Sequence, residues 1–388
     1  MDTSIATRQV FWSGHVYGLG GYAKTNRAIL FRLSKDFKIQ LEKSLTVPEA
    51  RQVDLKIQDR LSVFENNTVS EDAVLVRHFA PTTDVSKRYR ICFTMMETEK
   101  VHPEFIWRLN DFYDEVWTPT AWNRGTFIRS GLERPCFVVP LGADPDVYYP
   151  GPVEKLPLAT LLSTDRAGNV EVPEGMIYLS VFHPSFRKGL DVLLPAFEQA
   201  FGGTSDVALV LSGYPSDYIP SIVRESIKRH VKSSRVYAIY RPLSEEEISG
   251  IYRACHVYVS MSLGEGWDLP VTEAVFSGKP VIASRNTAHR ELLDPDCCFF
   301  VDPEGQAAVK GAERIAPWYK DMPFSVMGPK SISQLVEGLR YSWKSYEHFM
   351  ARALPMMKQF RDLYTWDRVI EVIKERLFRE KTTTTPAV

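Results

Sequence analysis

Short apolar runs alternate with segments of helical period along this chain, and the alternation happens twice. In the first half, ATRQVFWSG, DFKIQLEK, DAVLVRHF, RYRICFTMME, DEVWTPT and PCFVVPLG are of strand length and rich in Val, Ile, Phe and Trp. GYAKTNRAILFRLSK, HPEFIWRLNDFY and AWNRGTFIRSG carry helical spacing between them. A stretch rich in Pro, Gly and Asp, GADPDVYYPGPVEKLP, then breaks the pattern. Beyond it come the strand-like MIYLSVF, VALVLSG, RVYAIY, HVYVSMS and KPVIAS, with helices at GLDVLLPAFEQAF, SIVRESIKRHV, SEEEISGIYRAC and PVTEAVFS. Strands that alternate with helices form a parallel sheet covered on both faces. The chain is therefore expected to be α/β, with two doubly wound domains that meet near Gly142–Pro157. An amphipathic helix, DLYTWDRVIEVIKERLF, and a frayed KTTTTPAV end follow.

Composition narrows the function classes. At 388 residues the chain exceeds one ordinary core. Its 44% hydrophobic and 24% charged content is that of a globular protein. A net charge of -1 gives no overall field that would attract nucleic acid. The five cysteines are odd in number, without a Cys-x-x-Cys pair, and point to a reducing, cytoplasmic compartment. The start MDTSIATRQVFWSG has no signal-peptide pattern, no run reaches membrane-span length, and AWNRGTFIRSG lacks a dense basic face for membrane docking.

The most informative stretch is SLGEGWDLPVTEAVFSGKPVIAS, residues 262–284, in which Glu265 and Glu273 are separated by seven residues. Asp268 or Leu269 is expected to cap a short helix, with Pro270 near its first position and Gly278 just past its end. Such a helix begins at the carboxyl edge of a strand. Its free N–H groups and partial positive charge make a seat for phosphate. Gly264 and Gly266 let backbone approach a ligand, and Glu273, one turn in, can accept two hydrogen bonds from a vicinal diol such as a ribose. An acidic first turn after a glycine is also common for dipole reasons alone, so the whole stretch carries the reading rather than Glu273 by itself.

That stretch resembles the Glu-x7-Glu signature of retaining, GT-B-fold glycosyltransferases of family 4. The matching residues are Glu265, Gly266, Leu269, Pro270, Glu273, Ala274, Gly278, Pro280 and Val281, while Asp268 stands where the family has glycine and Trp267 where it has phenylalanine. FRKGLDVLLPAF, RPLSEEEISGIYRACHVYVSMS, NTAHRELLDPDCCFFVDP and TWDRVIEVIKERLF resemble further family segments. The resemblance implies two Rossmann-like domains facing a cleft: residues 1–145 on the acceptor side, completed by a returning helix at 364–380, and residues 150–360 on the donor side, before a tail at 381–388. It implies Glu273 on the nucleotide ribose and Glu265 beside the donor sugar, with Gly266, Trp267, Asp268 and Leu269 around them. Tyr240, Arg241, Pro242 and Leu243 would border the base. The co-substrate would be a nucleotide diphosphate sugar, UDP- or GDP-linked, and the acceptor a hydroxyl compound.

Other positions fill in the site. Arg187 and Lys188 in SFRKG follow the strand MIYLSVF and can offset charge on a diphosphate leaving group. The family has an arginine five residues before that lysine, where this chain has His183, so His183 or Arg187 takes its place. Gly18, Gly20 and Gly21 in SGHVYGLGGYAK depart from the G-x-G-x-x-G spacing. They resemble the family's N-terminal glycine loop, which places Gly20 and Gly21 in the cleft. Many relatives carry a catalytic histidine in the first domain; here CFTMMETEKVHPEF offers Glu97 first, with Glu99 and His102 behind it, and His78 in VLVRHFAP is a second candidate. Asp144–Asp146 and Asp294–Asp296 read as turns, and the eight histidines show no ligand-like cluster, so no metal is expected. The expected activity is hexose transfer with retention. A nucleotide-sugar epimerase on the same fold, or a non-catalytic nucleotide-sugar binder, is the alternative. Oligomeric state, donor base, sugar and acceptor have no signature in the sequence.

Overall fold

The Val-, Ile- and aromatic-rich runs of the first half pair side by side into one parallel sheet. The computed structural model describes residues 8–43, 53–151, 162–163, 175–183, 185–213, 219–239 and 243–378. Its first unit runs β1 (Gln9–Gly14), α1 (Gly21–Leu33), β2 (Lys38–Leu41), α2 (Leu55–Asn66), β3 (Val74–His78), β4 (Arg90–Phe93), α3 (Pro103–Phe112), β5 (Glu115–Thr118), α4 (Ala121–Arg129) and β6 (Cys136–Val138). The strand order is β2-β1-β3-β4-β5-β6, with every pairing parallel.

The second unit repeats the plan. It contains β7 (Leu162–Ser163), β8 (Met176–Phe182), α5 (Leu190–Phe201), β9 (Val207–Gly213), α6 (Ile219–His230), β10 (Arg235–Ile239), α7 (Glu245–Ala254) and β11 (Val257–Ser260). It continues through α8 (Leu269–Phe276), β12 (Val281–Ser284), α9 (His289–Leu292), β13 (Phe299–Val301), the hairpin β14 (Gly305–Ala308) and β15 (Pro323–Val326), and α10 (Pro329–Lys344). Two helices, α11 (Tyr346–Leu363) and α12 (Trp366–Phe378), close the chain. The order β13-β12-β11-β8-β9-β10-β7 is parallel except for the edge pair of β10 with β7. All seven residues of β8 are buried, as a strand covered by helices on both faces requires. The helix α2, the edge strand β7, the short α9 and β13, the hairpin and the pair α10–α11 add to the elements expected from the sequence.

Three devices join the units. Helix α12 returns to the first unit, where Lys374 pairs with Asp36 at 2.6 Å and Arg376 with Glu115 at 2.7 Å. The excursion between β14 and β15 plants Ala312, Ala316 and Tyr319, with Phe324 of β15, in one apolar cluster with Cys92, Met96, Phe105 and Phe127. From α9, Glu291 accepts hydrogen bonds from the free amides of α4, Ala121 N at 2.9 Å and Trp122 N at 2.6 Å.

The Arg376–Glu115 pair is nearly buried, and Glu115 also accepts from Trp117 Nε1 at 2.6 Å and Tyr89 Oη at 3.1 Å. Removing one partner of such a pair strands the other charge. Arg376→Met should therefore cost about 3 kcal/mol in urea unfolding; an unchanged midpoint would show that α12 is not anchored by this contact.

Candidate functional site at the interdomain cleft

The first sheet reverses its strand order at β1 and the second at β8, and the loops that matter leave the carboxyl ends on either side of those reversals. In the second sheet β8 lies between β9 and β11, so the segments after β8 and after β11 flank the switch point where ligands of open α/β sheets bind. In the first sheet β1 lies between β2 and β3. The glycine loop after β1 leads straight into α1, whose N-terminal cap is Gly20.

After β8 the chain makes a single 3-10 turn, Phe186–Lys188, which presents Arg187 and Lys188. Gly189 ends it at φ +66, and a Cβ there would stand 2.0 Å from the Met261 carbonyl oxygen, so only glycine fits. After β11 the chain dips through Glu265 to Asp268. Asp268 caps α8 from a left-handed backbone, φ 81, and its side chain accepts from Val271 N at 3.4 Å. Pro270 sits in the first turn and Gly278 follows the helix at φ +72, as expected from the sequence.

The charges are buried and paired. Glu265 is 5% exposed, with Arg187 at 2.9 Å and Lys188 on its other oxygen. Burial opposes its ionisation, but Arg187 and then Lys188 outweigh that and hold its carboxyl far below the usual range. Arg187 also donates to the Gly264 carbonyl at 2.6 Å and faces Glu97 of the first unit at 3.6 Å. Glu97 in turn accepts from Tyr319 Oη at 2.6 Å. Glu273 is 3% exposed and accepts from Tyr252 Oη at 3.0 Å and from Lys24, which reaches it from α1 across the cleft. Lys24 also meets Tyr148 Oη. Next to Lys188, the His183 pKa is lowered, first by burial and then by Lys188 and Arg187.

Two cavities adjoin at Leu269. One, of about 170 Å³, is lined by Gly21, Tyr22, Thr25 and Met95 from the first unit and by His183, Arg187, Lys188, Glu265, Trp267, Asp268 and Pro270 from the second. The other, of about 480 Å³, is lined by Lys24, Glu273, Glu245, Tyr148, Asp144 and the face of α1 down to Lys35. So Gly21, Arg187, Lys188, Glu265, Trp267, Asp268, Leu269 and Glu273 come together, with Glu97 behind Arg187. Gly20 and Leu243 line neither cavity, and Leu243 packs on the apolar core. Gly266 lies against Met95, where a Cβ would come within 2.6 Å. Tyr240, Arg241 and Pro242 fall outside the described residues.

His78 is not brought to either cavity. It is fully buried at the end of β3, stacked on Phe93, with Nδ1 2.7 Å from Asn26 Oδ1. Burial pushes its pKa down to about 3. Among the described residues no group of three or more His, Cys, Asp or Glu is arranged for a metal ion. Asp144 and Asp294 close turns by accepting from Asp146 N at 3.0 Å and Asp296 N at 2.8 Å. No helix among the described residues is long and apolar enough to cross a membrane. Sequence reasoning missed Lys24, Tyr22, Thr25, Tyr252 and Tyr319. Lys24 sits one turn beyond the glycine loop, which was the available signal; Tyr319 lies in an irregular excursion with none.

This arrangement is the GT-B fold. Residues 174–321 match the model of the family described as Glycosyl transferases group 1. Anabaena Alr3699/HepE, solved with UDP and glucose, superposes with a TM-score of 0.67 at 13% identity, over 95% of this chain and 99% of that one. The alpha,alpha-trehalose 6-phosphate synthase of Burkholderia multivorans gives 0.62 at 14% identity, over 96% and 98%. In sequence, a protein of Sulfolobus islandicus rod-shaped virus 1 called uncharacterized protein 356 is 23% identical over 52% of each chain. The MMP alpha-(1->4)-mannosyltransferase of Mycolicibacterium hassiacum is 41% identical over 63 residues, 16% of this chain and 15% of that one. The serotype-specific mannosyltransferase WbdA of Escherichia coli is 24% identical over 56% of this chain and 25% of its own. The chain thus spans about half the length of the first of these curated relatives and less of the other two.

The two carboxyl edges approach so closely that a Cβ on Gly264 would stand 1.9 Å from the Glu97 carbonyl oxygen. Gly264→Ala should force the units apart, raise the radius of gyration in solution scattering and cost about 1–3 kcal/mol. An unchanged radius and melting temperature would mean the cleft is not held at this contact.

Proposed function

We propose that this protein transfers a hexose from a nucleotide diphosphate sugar to a hydroxyl acceptor, with retention of anomeric configuration. One observation carries the reading: the N-terminus of α8, the Arg187–Lys188 pair and the two glutamates Glu265 and Glu273 converge on adjoining cavities at the switch point. A helix N-terminus with two cations beside it suits a diphosphate. Glu273 would take the ribose diol, whose hydroxyls would exchange for the bond from Lys24. The sugar would then lie in the smaller cavity with its anomeric carbon near Glu265. The match to Glycosyl transferases group 1 supports sugar transfer, and the UDP named in the Anabaena complex supports a nucleotide-linked donor.

In this mechanism the diphosphate is the leaving group. As the sugar–phosphate bond breaks, negative charge grows on the oxygen that Arg187 and Lys188 face, and they stabilise it more in the transition state than in the ground state. The acceptor hydroxyl would enter from the first unit, on the side of Tyr22 and Glu97, and attack the face that the diphosphate leaves. Its proton would pass to the departing phosphate oxygen. The carboxylate of Glu265 would sit beside the positive charge that develops on the sugar. Closure of the two units around the donor excludes water and limits hydrolysis.

A thermal-shift screen with UDP-, GDP- and ADP-sugars should give one hit, because a bound donor stabilises the folded state. With that donor, Glu273→Ala should weaken binding at least about tenfold, from lost charge-assisted hydrogen bonds. Lys188→Ala should cut kcat by about 10²–10³ with less change in KM. NMR of the product should show the donor's anomeric configuration. Normal donor affinity and kcat in both variants would refute the assignment, and product formed from donor without acceptor would favour an epimerase.

A further inference from the structure

A carboxylate is an odd group to place at the N-terminus of a helix that is to hold a diphosphate. Asp268 stands there, 6% exposed, lining the smaller cavity, and one of its oxygens caps Val271 N. Its other oxygen, Oδ2, accepts from Ser260 Oγ at 2.8 Å and lies 2.9 Å from His289 Nε2. His289 is fully buried. Its Nδ1 is 3.0 Å from the Ser284 carbonyl oxygen and 3.5 Å from Ser284 Oγ, and that hydroxyl already donates to the Ser262 carbonyl at 2.6 Å. Nδ1 thus faces only acceptors and must carry a proton. Nε2 faces a carboxylate. The hydrogen bond to Asp268 and the charge of its carboxylate favour the protonated ring, so the proton between them belongs on Nε2. Both ring nitrogens donate, so the side chain is an imidazolium.

We infer that His289 is a positioning residue for the donor site: a buried imidazolium that cancels the charge of Asp268, so that a carboxylate can cap α8 without repelling the diphosphate. The inference rests on the donor site proposed above. The buried charges around α8 are paired: Lys24 with Glu273, Arg187 and Lys188 with Glu265, Arg187 also with Glu97, and His289 with Asp268. Without His289 the Asp268 carboxylate, beside the phosphate seat, would keep only Ser260 Oγ and Val271 N as partners among the described residues. The charged groups that face His289 are Asp268 and, beyond it, Glu265 with its partners Arg187 and Lys188. Its neighbours Arg290 and Glu291 point away, to Glu99 and to the amides of α4.

Burial alone would lower the histidine pKa; the hydrogen bond and charge of Asp268, followed by Glu265, raise it instead. A raised folded-state pKa gives stability that is complete below about 6.5 and is lost as pH rises through the folded value.

The test compares the full chain with His289→Ala, Asp268→Gly and the double variant, by titration with UDP and GDP, thermal unfolding and nitrogen-15 NMR of the imidazoles. Glycine suits the left-handed position, so Asp268→Gly should fold. His289→Ala should weaken binding of the nucleotide that the wild type prefers by about tenfold and lower the melting temperature by about 4 °C. The double variant should return to within about threefold of Asp268→Gly in affinity. His289 should read as doubly protonated at pH 7 in the wild type. A double variant as impaired as His289→Ala, or a neutral His289 ring, would overturn the inference. If the wild type bound neither nucleotide, the donor reading and the role in binding would both fall, while the melting-temperature cycle and the NMR signal would still decide whether the ion pair exists.

Discussion

The structure is organised around charges that have been taken out of water. Glu265, Glu273 and Asp268 are each at most 6% exposed, and an unpaired carboxylate at such depth costs several kcal/mol. None is left unpaired, and some partners come from the opposite unit. Lys24 on α1 answers Glu273 on α8, while Arg187 spans Glu265 and Glu97. Docking of the two units and charge balance in the cleft are therefore one requirement. A diphosphate bound as proposed would compete for cations already engaged, so its binding would rearrange the same contacts that hold the units together.

The parallel sheets explain why these side chains meet at all. Every strand of a parallel sheet points its carboxyl end the same way, so all the connecting loops of functional interest gather on one edge. Two such edges facing each other bring the turn after β8, the loop after β11 and the start of α1 into a small volume. The returning helix α12 and the excursion between β14 and β15 then fix the relative placement of the edges. Neither supplies a group to the smaller cavity, while α12 adds Trp366 and Asp367 to the lining of the larger one.

What was legible in the sequence was whatever depends on neighbours along the chain. MIYLSVF reads as a doubly covered strand because all seven residues are apolar or small, and all seven are buried. The bounds of α8 were legible because Asp268, Pro270 and Gly278 each act within one turn. Lys24, Tyr319 and His289 were not, because their partners are 249, 222 and 21 residues away and no periodicity reports such distances. His78 is the opposite case. A histidine at a strand's carboxyl end looks like chemistry, but the stacking of Phe93 and the fixed orientation of Asn26 make it part of the core.

The departures from local rules are concentrated around Glu265. Among the described residues, three that are not glycine have positive φ: Asp268, Thr287 and Asp321. The first two flank the same carboxylate. Thr287 Oγ1 accepts from Glu265 N at 2.8 Å, and Asp268 lies three residues beyond it. A left-handed backbone costs roughly 1–2 kcal/mol for a residue with a Cβ, while a good N-cap returns about 1 kcal/mol. At Asp268 the cap alone barely offsets the strain, and the bonds from Ser260 and His289 tip the balance. A glycine would have met the backbone requirement without that support. The aspartate instead stands with a histidine and a serine that satisfy its second oxygen, so three segments of the second unit, the end of β11, the start of α8 and α9, are tied together at this one side chain.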